Sequence, residues 1–249
     1  MRQALVNGLG VALALKSKYS ALGLSTHFCM MGGIMRPGTK APFSKTLEAG
    51  TTYAFVGAGD DAPGDLDITV TDAYGSLVAH DSDDDASPFV AFTPTRTGTY
   101  TVRMSLASGP ATYGAIISLQ NRDGWDIPVE NLGSVIGKLV VRGGSLNRQS
   151  PMNFAENNDW SVLASVVTGR SSERVDDIPL RGNHVVLGVA DDNVTDLDLS
   201  MVVQGQTYRD FQRDDFPLLQ GNWYGQGAFR IYNRSPKASL TAVAILQRG

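Results

Sequence analysis

Aspartates dominate one stretch of this 249-residue sequence, and their spacing is compatible with cation binding. Residues 60–85 contain nine aspartates and no lysine or arginine. Hard divalent cations such as Ca²⁺ take several carboxylate and carbonyl oxygens, and a bound cation would relieve the repulsion between crowded carboxylates. The sequence therefore predicts a Ca²⁺ site with these candidate ligands: Asp60, Asp61, Asp65, Asp67, Asp81, Asp83 and Asp85.

A structural role is the competing interpretation of the same aspartates, and the residue pattern favours it. Aspartate side chains bond to nearby backbone N–H groups, so aspartate is common in turns that join strands. The acidic run that begins at Asp81 is also not an EF-hand. Ala86 stands at the sixth position, which requires glycine, and Phe92 stands at the twelfth, which requires glutamate. Both interpretations stay open at the level of sequence.

No catalytic motif is found in the sequence. There are only three histidines, His27, His80 and His184, and the motifs His-Glu-x-x-His, Gly-x-Ser-x-Gly and Cys-x-x-Cys are absent. Cys29, the only cysteine, lies in an apolar run and is expected to be a buried, inert thiol. His80 adjoins the acidic run and is the histidine best placed to bind a ligand or respond to pH. We therefore predict that the protein is not an enzyme.

Aromatic residues in the second half of the chain could form a binding face. Trp223, Tyr224 and Tyr232 are the candidates, and they lie close to glycine or turn residues, which favours exposure. Exposed rings on a β-sandwich can stack on sugars or anchor a partner protein. The alternative is that the same rings pack in the core.

The acidic motif occurs twice, which indicates an internal repeat. Residues 57–61 and 65–68 have counterparts at 188–192 and 196–199, and the four aspartates match at one constant offset. A second, weaker set of Ca²⁺ ligands follows from this match: Asp191, Asp192, Asp196 and Asp198. In this copy Arg209 and Arg213 are expected to neutralise the neighbouring aspartates.

The match between the two copies extends in both directions. Upstream, Leu47 corresponds to Leu180. Downstream, Gly98 in Gly-Thr-Tyr corresponds to Gly227 in Gly-Ala-Phe, and both copies end in an apolar run followed by glutamine. We therefore predict two domains, at residues 1–124 and 125–249.

The elements that must position these residues are mostly short strands. In the first copy, alternating apolar residues between turns predict strands at residues 52–58, 66–71, 76–80, 89–93, 99–106 and 113–119. Apolar residues at helical spacing predict one helix near residues 5–22 and another near residues 132–139. The predicted fold class is mainly β: two tandem jelly-roll-like antiparallel β-sandwiches, each preceded by a short α-helix.

Two segments of the first copy resemble bacterial pre-peptidase C-terminal domains. Residues 65–78 are similar to an acidic strand–turn–strand motif of that family, and Phe-Thr-Pro at 92–94 with Thr-Gly-Thr-Tyr at 97–100 is similar to a second motif. The resemblance covers residues 43–120 and, more loosely, 175–247. It implies secreted jelly-roll-like β-sandwiches, similar in outline to the collagen-binding domains of clostridial collagenases.

Composition bears on partners and location. The formal net charge is −4 and there is no run of lysine or arginine, so nucleic acid is not an expected partner. No apolar stretch of about 18 residues is present, so no transmembrane segment is predicted. The apolar run at residues 5–15 is interrupted by Asn7, Gly8 and Gly10, so we expect a structural helix there and any signal peptide outside this numbering.

Duplication without catalytic residues favours a non-catalytic protein that works by contact. We predict a bacterial extracellular or cell-surface protein with a structural or adhesive role, self-assembling as a filament or matrix subunit. Its expected partners are other copies of itself, another surface protein or a polysaccharide. The alternative is a Ca²⁺-dependent accessory module that binds polysaccharide or collagen-like protein ligands.

Overall fold

Antiparallel strands make up most of the chain because apolar and polar residues alternate along it and turn residues separate the runs. Strands contain 54% of the residues and helices 16%, which confirms the predicted mainly β fold class. The computed structural model describes residues 1–60, 64–126, 128–154 and 160–248. The chain forms two units. Unit 1 is Met1–Asp126 with Glu156–Trp160, and unit 2 is Ile127–Ala155 with Ser161–Gly249.

Unit 1 begins with a helix and continues as strands. The helix, α1, is Arg2–Lys18. The strands in its described residues are β1 (Gly23–Leu24), β2 (Met30–Met35), β3 (Lys40–Leu47), β4 (Tyr53–Gly59), β5 (Asp65–Thr71), β6 (Leu77–Asp81), β7 (Phe89–Phe92), β8 (Gly98–Ser108) and β9 (Thr112–Gln120).

These strands form two antiparallel sheets that face each other. One sheet has the order β2–β9–β4–β7, with β1 paired to the end of β9. The other has the order β3–β8–β5–β6. Every second residue of β5 is buried between the sheets: Leu66, Ile68 and Val70. A Cβ atom on Gly114 in β9 would collide with Met104 Cε in β8, so the two sheets pack closely.

Helix α1 covers the outer face of the first sheet. Strands β4 and β9 are buried along their whole length, because one face meets the second sheet and the other meets the helix. Leu5 and Ala12 of the helix are buried. A Cβ atom on Gly8 would lie 3.4 Å from Ile117 Cδ1 and 3.5 Å from Ala58 Cβ, which places the helix directly on β4 and β9.

Unit 2 repeats the sequence of a helix followed by strands. The helix, α2, is Val129–Gln149. The strands in its described residues are β10 (Met152–Phe154), β11 (Val162–Val167), β12 (Ser171–Ala190), β13 (Leu197–Val203), β14 (Gln206–Asp210), β15 (Leu218–Asn233) and β16 (Ser239–Arg248).

Two long strands of unit 2 take part in two sets of pairings. The first half of β12 pairs with the second half of β15, which pairs with β13 and then β14. The second half of β12 pairs with β16 on one side and with the first half of β15 on the other. The opposite edge of β16 pairs with β11 and β10. Each long strand changes direction at a glycine with positive φ, Gly182 at 99° and Gly225 at 101°.

The order of pairing in unit 2 is the order found in unit 1. The halves of β12 take the places of β3 and β4, and the halves of β15 take the places of β7 and β8. One match made from the sequence is displaced. Leu47 pairs with Gly98, whereas its counterpart Leu180 pairs with Gly225. Gly225, and not Gly227, therefore occupies the position of Gly98, because β15 has no separate loop between its two halves.

Helix α2 packs on β12 and β16, the strands that correspond to β4 and β9. Its buried side chains are Leu132, Val135, Ile136 and Leu139, the residues whose helical spacing predicted it. Within the described residues, no helix is long and apolar enough to cross a membrane.

Candidate functional site

The aspartate that opens the acidic motif holds two strands together in unit 1. Asp60 directly follows β4, and its carboxylate faces the start of β9. It accepts a hydrogen bond from Thr112 Oγ1 at 2.6 Å and another from the backbone N–H of Tyr113 at 3.1 Å. The carboxylate therefore bonds to backbone and hydroxyl donors of the same unit.

Asp191 does the same in unit 2 and is more deeply buried. It follows β12, is 0% exposed, and accepts hydrogen bonds from Ser239 Oγ at 2.6 Å and from the Leu240 backbone N–H at 3.0 Å. The Asn193 backbone N–H and Asn131 Nδ2 in helix α2 each donate a further bond at 3.0 Å. The repeated aspartate thus fixes the last strand of each unit.

The first aspartate of the acidic run also has a counterpart with the same bonds. Asp81 accepts hydrogen bonds from the backbone N–H groups of Asp83 at 3.1 Å and Phe89 at 2.8 Å. Asp210 accepts hydrogen bonds from the corresponding N–H groups of Gln212 and Leu218 at the same two distances. Each carboxylate therefore closes the loop that leads to the next strand.

The last aspartate of the run is equally a loop residue. Asp85 accepts a hydrogen bond from the Ser87 backbone N–H at 2.7 Å, and Asp214 accepts one from the Phe216 N–H at 2.8 Å. In both units the backbone carbonyl of this aspartate also accepts a hydrogen bond from an earlier strand, from the Leu66 N–H of β5 in unit 1 and from the Leu197 N–H of β13 in unit 2. Of the aspartates at residues 81–85, the two that unit 2 retains are therefore the two whose carboxylates accept backbone hydrogen bonds.

Three carboxylates of unit 1 lie near one another at the edge of the second sheet. Burial raises the pKa of Asp67, and the charges of Asp65 and Asp81 raise it further, while Lys40 acts in the opposite direction. One carboxylate oxygen of Asp65 is buried without a hydrogen-bond partner. These three described carboxylates nevertheless do not form a group that could hold a metal ion.

The remaining predicted ligands are dispersed. Asp83 is exposed in the loop, and Asp61 lies outside the described residues. In unit 2, Asp192 is an exposed partner of Lys138, which lowers its pKa, and Asp198 pairs with Arg234 at 2.5 Å. Asp196 contributes its carbonyl to the Arg234 N–H. Among the described residues there is no group of three or more His, Cys, Asp or Glu side chains that could hold a metal ion.

The histidines and the cysteine lie in separate places. His80 is exposed on β6, and His27 has a positive φ of 51° in the loop before β2. His184 is 2% exposed, and its Nδ1 lies 2.9 Å from the Gly182 carbonyl oxygen; burial lowers its pKa. Cys29 is buried, as the apolar run predicted.

The three candidate aromatic residues differ in exposure. Trp223 is buried in unit 2, where its ring meets Tyr208 edge-on at 5.2 Å, so it packs in the core and is not on a binding face. An apolar ring of this size stabilises the fold more by burial than it could on the surface. Tyr224 is exposed, and Tyr232 is half-buried on the outer face of β15.

Tyr232 belongs to a cluster that the sequence did not predict. Its ring meets Phe211 edge-on at 6.1 Å, and the cluster, here named the arginine–aromatic face, consists of Phe211, Tyr232, Arg209, Arg230 and Arg234. Arg209 and Arg234 lie 5.8 Å from the centre of the Phe211 ring. Arg230 and Arg234 lie 5.9 and 4.9 Å from the centre of the Tyr232 ring.

The charge balance of this face follows from its ion pairs. Arg234 is paired with Asp198, whereas Arg209 and Arg230 form no ion pair with any described residue. Arg209 was expected to neutralise nearby aspartates, but its guanidinium lies over Phe211, and the ammonium of Lys138 pairs with Asp215 instead. The face therefore presents an excess of positive charge around two aromatic rings. The only signal in the sequence is that β14 and β15 carry arginine and aromatic residues at alternate positions.

The chain was compared with protein families, curated proteins and solved structures. No family model matches it, and no curated protein matches it. The similar structures include the pre-peptidase C-terminal domain of a collagenase from Bacillus anthracis, at 7% identity and a TM-score of 0.32 over 39% of this chain and 92% of that one. This is the family that the first copy resembles.

Two other structures show likeness of the same order. A periplasmic inhibitor of g-type lysozyme from Aeromonas hydrophila has 13% identity and a TM-score of 0.30 over 38% of this chain and 86% of that one. A conserved protein of unknown function from Pseudomonas aeruginosa has 13% identity and a TM-score of 0.25 over 83% and 78%. Structural similarity this low supports no conclusion about function. The architecture is established by the strand pairing described above.

Proposed function

We propose that the chain is a non-catalytic extracellular or cell-surface protein with a structural or adhesive role, and that it acts by self-association. One observation carries this proposal. The two units have loops with the same backbone bonds but different charged residues, because residues 82–84 of unit 1 contain two aspartates whereas residues 211–213 of unit 2 contain one arginine. A chain that presents complementary surfaces is suited to contact with further copies of itself.

The two units are interpreted as a tandem duplication of one module resembling pre-peptidase C-terminal domains. Strand order, the position of the helix and the bonds of the repeated aspartates support this interpretation. Each unit keeps the aspartates that hold its backbone, so those residues are explained without a ligand. The surfaces have diverged, which supports unequal roles for the two copies.

A contact function also agrees with where the titratable residues lie. Nucleophilic or acid–base catalysis needs a donor and an acceptor within hydrogen-bond reach of one another and of a substrate. Among the described residues, His80 and His184 lie on different strands, and the aspartates of the acidic motif accept bonds from the backbone. These residues support the fold, and the exposed charges remain available for contact.

Sedimentation velocity of the purified chain over a range of concentrations tests the proposal. Self-association predicts that the weight-average sedimentation coefficient rises with concentration, and negative-stain electron microscopy should then show linear or sheet-like assemblies. A single monomeric species at the highest soluble concentration would rule the proposed self-association out.

A second candidate function is a Ca²⁺-dependent accessory module for polysaccharide or collagen-like ligands. The observation that favours it is the buried Asp65 oxygen without a hydrogen-bond partner, on the strand that also carries Asp67. Ca²⁺ bound to the folded state would raise the melting temperature by mass action. Equal melting temperatures in millimolar Ca²⁺ and in EDTA would remove this candidate, and glycan arrays with a collagen pull-down would test its ligands.

A further inference from the structure

We propose that the arginine–aromatic face of one copy binds the acidic loop of a second copy, where the acidic loop is residues 82–84 together with Phe89, the first residue of β7. This inference rests on the self-association proposed above and names the surfaces that carry it. A second copy is the expected occupant because one surface carries exposed carboxylates and the other carries arginines that form no ion pair with a described residue.

The acidic loop has charges that its own fold does not use. Asp81 and Asp85 accept backbone N–H bonds and hold the loop in shape. Asp83 and Asp84 are exposed and form no ion pair with a described residue. Phe89, the first residue of β7, is 38% exposed. The loop therefore presents two carboxylates that form no ion pair with a described residue, on a backbone held by Asp81 and Asp85, and an accessible aromatic ring opens the strand that follows.

The arginine–aromatic face offers the opposite arrangement. Phe211 is 48% exposed, and Arg209 and Arg230 are the two cations of this face that form no ion pair with a described residue. Arginine and aromatic residues are enriched at the centres of protein interfaces, because they combine apolar area with directional bonds to carboxylates. Guanidinium groups held near rings are also ordered before binding, which lowers the entropy lost on association.

The comparison between the two loops shows which residues have diverged. Asp81 and Asp210, and Asp85 and Asp214, keep the same bonds. Between them, the sequence Ser-Asp-Asp of unit 1 is replaced by Phe-Gln-Arg in unit 2. The three diverged positions are exposed in both units, and their side chains take no part in the bonds that hold the loop. Their divergence does make the loop of unit 1 complementary in charge to the arginines of unit 2.

The contact has a consequence for the form of the assembly. A surface on unit 1 of one copy binds a different surface on unit 2 of the next, so the contact is heterologous. Such contacts leave one free surface of each kind at the ends, and they produce rings or open filaments rather than a closed two-fold dimer.

Charge-reversal variants test the pairing. The face variant is R209E/R230E, and the loop variant is D83K/D84K. Arg234 is left in place because its removal would leave Asp198 buried without its partner. K18E/R148E is the control, since it changes the net charge by the same amount as the face variant at exposed positions on the two helices. Thermal melts of all variants establish that they fold.

Sedimentation velocity at low salt gives a distinct result for each variant. The face and loop variants should each be monomeric, with association at least about tenfold weaker than wild type. An equimolar mixture of the two should associate, because the intact acidic loop of the face variant can bind the intact arginine–aromatic face of the loop variant. The control should assemble like wild type, and wild-type assembly should weaken at about 0.5 M salt through screening.

Other outcomes overturn the proposal in distinguishable ways. If wild type assembles and both variants assemble equally well, the surfaces are wrong but self-association stands. If wild type is monomeric, the proposed self-association itself fails. If each variant is monomeric but the mixture does not pair, the loop is not the partner of the face. If the face variant loses binding to dextran sulfate while self-association is unchanged, the face binds an anionic polysaccharide and the proposal is overturned.

Discussion

Replacing Asp191, one of the aspartates that the sequence predicts as a Ca²⁺ ligand, by alanine should destabilise unit 2 strongly. Its carboxylate is fully buried and accepts four hydrogen bonds. The substitution leaves the Leu240 N–H and the Ser239 hydroxyl buried without acceptors, each at a cost of about 1–3 kcal/mol. The bonds from Asn193 and Asn131 are less costly to lose because water can reach these donors. We therefore expect a loss of about 4 kcal/mol in the free energy of unfolding.

Two substitutions calibrate this value. Asp60→Ala removes the corresponding carboxylate of unit 1, which is only half-buried, so a loss of about 2 kcal/mol is expected. Asp192→Ala removes the adjacent carboxylate, which is exposed and paired with Lys138 at 3.1 Å, and should leave the free energy of unfolding close to that of the wild type. Each of the three variants lacks one carboxylate of the wild type. Differences in their stability therefore depend on how deeply that carboxylate is buried and on the hydrogen bonds that it accepts.

Urea unfolding followed by far-UV circular dichroism measures the three losses, with tryptophan emission as a second probe. The measurement is made in Ca²⁺ and again in EDTA. The structural role predicts the same loss for Asp191→Ala in both buffers. A loss no larger than that of Asp192→Ala would refute the reasoning. The reasoning would also be refuted if EDTA lowered the free energy of unfolding of the wild type by as much as Asp191→Ala does, because the carboxylate would then be a metal ligand.

Three further predictions concern single side chains. Trp223→Ala should lower the unfolding free energy by about 3–5 kcal/mol and Tyr224→Ala by no more than about 0.5, as measured in urea, because only the first ring is buried. The lowered pKa of His184 means that the unfolded chain binds the extra proton more readily, so stability should fall as pH drops below about 6.5. His184→Gln should flatten that dependence in urea melts across this range. The raised pKa of Asp67 means that its charged form is disfavoured in the folded state, and the resulting cost develops as pH rises above about 3.9. Asp67→Asn should therefore raise the melting temperature at neutral pH and lose that advantage near pH 3; an equal effect at both pH values would contradict it.

The β-sandwich fold could be predicted because its signals are local. Strand alternation, turn residues and helical spacing each act within a few residues, and the structure has strands and helices near the predicted positions. The match between Gly98 and Gly227 was displaced because the two copies differ in a loop, which a short motif does not reveal. The pairing of β15 with β12 and with β13 fixes the correct position.

The roles of the acidic residues could not be derived from spacing. Asp60 and Thr112 are far apart in the sequence, and so are Asp191 and Ser239, so their bonds depend on where separate strands meet. A carboxylate that accepts backbone bonds and one that binds a cation have the same residue type and the same local pattern. The arginine–aromatic face was missed for the same reason, because β13, β14 and β15 must pair before its residues are neighbours.

The uninterrupted strand β12 has a consequence for how the two units tolerate change in length. In unit 1 the equivalent residues are divided by a turn at residues 48–52, which can absorb an inserted residue without altering either flanking strand. In unit 2 one backbone runs through both sets of pairings, and a single insertion near Gly182 would turn every following side chain to the opposite face. Over evolutionary time, unit 1 is therefore free to vary in length at this corner, whereas unit 2 can change there only by substitution.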